Sequence, residues 1–120
     1  MITFLLLLLL GLISGVIASL CGVGGGLILV PLFVLLGGLS QSQAVATSLA
    51  IIIPTALVGT LSNMNSGLID WKVVIPVALG AIVSAWLGST LMRQMDEILL
   101  QRVFASVLML VGCYLFFFKK

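Results

Sequence analysis

Four glycines in five residues, Gly22, Gly24, Gly25 and Gly26, followed by Pro31, interrupt an otherwise aliphatic region in "SLCGVGGGLILVP", residues 19–31. Glycine lets a ligand approach the backbone with no Cβ in the way. The first amides of a helix that begins at such a break have no intrahelical acceptor, and they lie at the positive end of the helix dipole. Those two properties together make an anion site. The same glycines also suit close packing alone, and the stretch by itself leaves both readings open. It is not a phosphate loop, because no Gly-Lys-Ser/Thr follows. Nor is it a dinucleotide fingerprint, because the flanks are apolar segments and no acidic residue follows about twenty positions on.

Thr47 and Ser48 are the next residues able to do chemistry. Hydroxyls can donate to an oxyanion without the desolvation cost of a buried charge. Equally, they can bond the carbonyl one turn back in their own helix. Cys21 adjoins the glycines and could touch a sulfur anion, although a buried cysteine also behaves as a small hydrophobe. Histidine is absent, and Asp70, Asp96 and Glu97 all fall at segment boundaries. No carboxylate proton relay is therefore expected within the apolar segments. With no His, no paired carboxylates and no nucleophile beside a base, no enzyme is expected either. No cofactor, metal or nucleic-acid partner is expected.

These residues must be positioned by membrane helices. Of 120 residues 62% are hydrophobic and 7% charged, and mean hydropathy is +1.45. Five Lys+Arg and three Asp+Glu cannot clothe a soluble domain of this size, so lipid must be the solvent for most of the surface. Hydropathy marks apolar segments at about 2–20, 27–36, 44–62, 73–92 and 98–118 within a single transmembrane domain, 1–120. The last three are each long enough to span. The second reaches about halfway, at roughly 15 Å. The expectation is an all-α polytopic membrane protein with three full spans and an N-terminal pair of helices broken at the glycines.

Punctuation follows the same plan. "GGLSQSQ", "NMNSGLIDWK" and "RQMDE" hold most of the polar residues, and Trp71 with Lys72 suits a headgroup boundary. Pro76 falls in a first helical turn, where a missing N–H costs little. Pro31 and Pro54 are read as helix breakers, Pro54 kinking the third helix near the membrane centre. Gly11, Gly15 and Ser19 recur every fourth residue, as do Gly80, Ser84 and Gly88, a spacing that lets helices approach closely in lipid. The N-terminal stretch lacks a basic region and has Leu20 before Cys21, so it reads as a retained helix rather than a cleaved signal.

An odd number of crossings puts the two termini on opposite sides. Arg93 and Arg102 then oppose Lys72 and the terminal anchors Lys119 and Lys120, a bias of one that does not fix orientation. Insertion both ways round, giving an antiparallel homodimer, is compatible with that balance.

The runs "GLISGVIASLCGVGGGLILVPLFVLLGG", "QAVATSLAIIIPTALVGTLSN" and "GLIDWKVVIPVALGAIVSAWLGSTL" resemble the repeat unit of the sulfite exporter TauE/SafE family of membrane transporters. The most specific parts are Gly22, Gly24, Gly25, Gly26 and Pro31, then "AVATSL" and "GLIDW". Family members typically carry two related halves, so the resemblance implies one repeat of a two-repeat transporter and assembly of two copies. It also implies movement of sulfite, organosulfonates or related anions across the bacterial cytoplasmic membrane, with Thr47 and Ser48 completing the site. A passive anion channel built from an antiparallel dimer is the alternative.

Overall fold

The computed structural model describes residues 1–118 and is built from five helices: α1 (Ile2–Cys21), α2 (Gly26–Leu35), α3 (Gln41–Met64), α4 (Trp71–Gln94) and α5 (Glu97–Phe117). The expected all-helical membrane architecture is present. All but α2 are long and apolar enough to cross a bilayer, α1 included. Lys119 and Lys120, the expected terminal anchors, lie outside the described residues.

Each boundary has a local cause. α1 stops where Gly22 turns left-handed, at φ 67°, and donates its amide to the Ala18 carbonyl at 2.8 Å. Gly24 and Gly25 are left-handed too, at φ 69° and 78°, and α2 starts immediately after them. A left-handed residue with a side chain costs about 1–2 kcal/mol, so only glycines can hold three such positions in four residues cheaply. α2 ends at the Gly37-Gly38 turn, where a Cβ on Gly37 would stand 2.7 Å from the Phe33 carbonyl oxygen.

α3 starts earlier than the apolar run, at Gln41. Ser40 Oγ accepts the Gln43 amide, and the Gln43 side chain accepts the Ser40 amide, a reciprocal capping box. At α4, the Asp70 carboxylate accepts the Lys72 amide. None of the three internal prolines ends a helix, and Pro76, expected in a first turn, is the sixth residue of α4 because the Asp70 cap starts that helix at Trp71. Pro31 is the sixth residue of α2, and α3 is continuous through Pro54. Each proline removes only one rung, and the break expected of Pro31 is made instead by the left-handed glycines. Thr55 sits beside the weakened rung and donates its hydroxyl to the Ile51 and Ile52 carbonyls at 3.0 Å each.

α1 and α2 form a hairpin with antiparallel arms. A Cβ on Gly25 would lie 3.5 Å from the Ala18 Cβ, and farther along Gly11 and Leu10 of α1 border the same cavity as Leu29 and Phe33 of α2. Thr3 shares that cavity with Leu39, so α1 begins at the end of the bundle where α2 finishes. The glycine turn meets α3 near its middle, with Gly24 and Gly26 facing Ile52. Glu97 brings the start of α5 to the start of α3: its carboxylate accepts the Gln41 amide at 2.6 Å and the Ser42 hydroxyl at 3.0 Å.

The buried core is small and surrounds this hairpin. Leu29, Val30 and Ala44 are its buried hydrophobic residues, joined by the buried Ser14, Gln41 and Ser48. α4 and α5 bury no residue. A Cβ built on Gly11, Gly15, Gly80 or Gly88 would meet nothing within 4 Å, so the two small-residue faces do not pack helices together inside the protomer.

Gly25→Ala therefore isolates conformational strain from crowding, since its new Cβ has ordinary contact distances of 3.5 and 3.6 Å to Ala18 and Leu29. We expect a loss of about 1–2 kcal/mol from the left-handed φ alone. Reversible unfolding in detergent measures it, and an unchanged midpoint would contradict the turn conformation.

Candidate anion site at the glycine turn

From Val23 to Leu27, no backbone amide donates to a backbone carbonyl among the described residues; bonding resumes with the Ile28 and Leu29 amides on the Gly25 carbonyl. Backbone at bilayer depth can leave polar groups free only where they face protein or a cavity. A cavity is present there. It has a volume of about 340 Å³, and Gly22 and Gly24 line it together with Ala18 and Ser19 of α1.

The opposite wall comes from α3 and the start of α4. Thr55, Ala56, Gly59, Thr60 and Asn63 line it from α3, with Trp71 and Val74 from α4. Ser48, Ile52, Thr55, Gly59 and Asn63 follow one another at spacings of three or four, which places them along one helix face. The upper part of that stripe touches the glycines: Ser48 Oγ would be 3.6 Å from a Cβ on Gly26. The lower part opens into the cavity. Among the described residues no charged side chain lines it. Its polar groups are hydroxyls, one carboxamide, the Trp71 indole and backbone, and neutral donors of this kind can hold an anion without trapping it.

The residues expected from the sequence are divided by this geometry. Gly22 and Gly24 face the cavity, whereas Gly25 is buried behind them against Ser14 and Ala18, and Gly26 packs on Ser48 and Ile52. Cys21 is the exposed last residue of α1 and does not line the cavity. Ser48 is 2% exposed and donates its hydroxyl to the Val45 carbonyl at 2.8 Å. Thr47 is exposed and borders a separate, mostly apolar cavity with Leu7, Leu29 and Phe33. Adjacent helical residues point about 100° apart, and here Ser48 faces the glycine turn while Thr47 faces the separate cavity. They also lie nearly two turns inside α3 instead of one, because the capping box starts the helix early. The Pro54 side of α3 borders a neighbouring cavity that shares Ser19, Thr55, Gly59 and Asn63.

Ser19, Thr55, Thr60, Asn63 and Trp71 are not among the site residues expected from the sequence, which marks Ser19 as a packing residue and Trp71 as a headgroup-boundary residue. A signal for three of the wall residues was present: Thr55, Gly59 and Asn63 recur every fourth residue through an apolar helix.

A bundle of long apolar helices with an internal hairpin and a midway backbone break defines a multi-pass membrane protein of the transporter class. The profile of the family described as Sulfite exporter TauE/SafE matches residues 1–120, and the chain belongs to that family of membrane transporters. No curated protein and no solved structure matches the chain.

Placement of the cavity is testable by thiol labelling in a Cys21→Ala, Cys113→Ala background. Ser19→Cys should react with a small sulfonate-bearing methanethiosulfonate at least about tenfold faster than Thr47→Cys, because an apolar cavity desolvates the reagent's charge. Equal rates would place the polar cavity elsewhere.

Proposed function

We propose that the chain is one repeat of a secondary transporter that moves small sulfur-containing anions, such as sulfite or organosulfonates, across the bacterial cytoplasmic membrane as a homodimer. The observation that carries this reading is the Gly24 amide, without a backbone acceptor among the described residues and lining a cavity that also holds the neutral side chains of Ser19, Thr60 and Asn63. An oxyanion placed there meets the Gly24 backbone, the Ser19 and Thr60 hydroxyls and the Asn63 carboxamide, close to the start of α2. Family membership supports the substrate class.

Two features favour assembly of two copies. α4 buries none of its residues, and the open faces at Gly11 and Gly15 and at Gly80 and Gly88 leave backbone accessible at a spacing suited to helix contact in lipid. In a two-repeat arrangement the second copy contributes its own glycine turn, and rocking of one copy against the other gives alternating access. The copies can be parallel or antiparallel on these features.

Gly59→Leu tests the reading with little cost to the fold. Gly59 is helical, lines the cavity, and would carry a Cβ that meets nothing within 4 Å. Leucine is also about 1 kcal/mol more favourable than glycine in a helix interior. In proteoliposomes the parent should exchange labelled sulfite or sulfoacetate saturably between the two sides. Gly59→Leu should lose at least about tenfold in exchange, the effect of some 1.4 kcal/mol of lost binding, while its thermal stability is kept or raised. Undiminished exchange by Gly59→Leu would sink the site. Rapid, unsaturable flux by the parent would favour a passive channel instead.

A further inference from the structure

A second cavity, about 200 Å³ in volume, lies between α2 and α5 at the end of the bundle where α3 and α5 begin. Val30 and Pro31 line it from α2, and Phe104 and Leu108 from α5, with Gln101 and Gln41 at its polar end. Leu108 is seven residues beyond Gln101, or roughly 10 Å farther along α5. The cavity thus runs from a polar rim at the helix starts to an apolar interior level with the middle of the hairpin.

Gln41 makes this more than a packing gap. It is only 5% exposed, and its side-chain nitrogen has no hydrogen-bond partner. A buried donor left without an acceptor is costly, more so than a made bond is favourable. Its backbone amide is already held by Glu97. None of the described residues supplies the missing acceptor, and the Glu97 carboxylate that holds the Gln41 backbone disfavours an anionic one. A neutral carbonyl fits both conditions, and the apolar interior below calls for hydrocarbon attached to that carbonyl.

We propose that this slot binds a membrane lipid, with an ester carbonyl accepting from the Gln41 side-chain amide and the attached acyl chain lying along Phe104 and Leu108. The site is independent of the glycine turn and of the transport reading. Lipid there fills the space that the ten-residue α2 leaves beside α5, and it completes the hydrogen bonding of the residue that joins α3 to α5.

The test compares a short-chain diacyl phosphatidylcholine with its diether analogue, which keeps the chains and headgroup but lacks both ester carbonyls. Purified full-length protein is held in an ester-free detergent, and thermal stability is followed against lipid concentration, since a ligand of the folded state raises it with occupancy. The ester lipid should stabilise the parent with about threefold to tenfold higher apparent affinity than the ether lipid, the effect of one neutral hydrogen bond. Gln41→Met should abolish that preference, and Leu108→Trp, which fills the slot from its apolar end, should abolish stabilisation by both lipids. If Gln41→Met fails to fold, Leu108→Trp decides. Equal stabilisation of the parent by the two lipids overturns the proposal, as does an ester preference that survives either substitution. No shift from either lipid also overturns it, and leaves water or a second copy of the chain as the partner of Gln41.

Discussion

Everything in this molecule depends on how a polypeptide reverses direction inside hydrocarbon. Backbone amides cannot face lipid, so a turn at bilayer depth needs a conformation that keeps them inward. The left-handed glycines at positions 22, 24 and 25 supply it: they end α1, start α2 within four residues, and are small enough to lie against Ile52 and Ala18. Any side chain at these positions adds strain of the left-handed kind. The amides left over are a consequence of the turn, and the cavity borders them at Gly24.

Because the turn meets α3 near its midpoint, one face of α3 does two jobs. Above the turn, Ser48 and Ile52 pack against Gly24 and Gly26; below it, Thr55, Gly59 and Asn63 border open space. Thr55 illustrates the economy of the arrangement, as its hydroxyl supports the carbonyls next to Pro54 while its side chain borders the cavity.

The other end of the bundle is organised by a single carboxylate. Glu97 begins α5 and at the same time accepts from the first amide of α3, so it lies at the positive ends of two helices. This contact ties the start of α5 to the start of α3, although neither α4 nor α5 buries a residue. A protomer with so much unpacked apolar helix is stable only with lipid or another chain around it, and the lipid slot and the dimer reading are two local answers to that same excess of surface.

Sequence alone determined the class of the protein, the number of helices, and the location of the backbone break. Hydrophobic run length and glycine clustering act locally, and in a bilayer no competing soluble fold is available. The capping box at Ser40 was also legible, as Ser-x-x-Gln, although the apolar run suggested a later start. What only the tertiary structure decided was which residues share a site. Thr47 and Ser48 are neighbours in the chain, yet Thr47 borders a cavity while Ser48 is buried against the glycine turn, because helical rotation separates them. Pro31 and Pro54 look like breaks in a linear reading, but each removes only one hydrogen bond from a helix that packing can hold. Ser19 and Asn63 are 44 positions apart and line one cavity, since the antiparallel hairpin folds α1 against the far half of α3. Likewise, the backbone that carries the unpartnered Gln41 side-chain nitrogen is held by Glu97, 56 residues away. Pairings over such distances are set by how helices lean on one another, which no local pattern encodes.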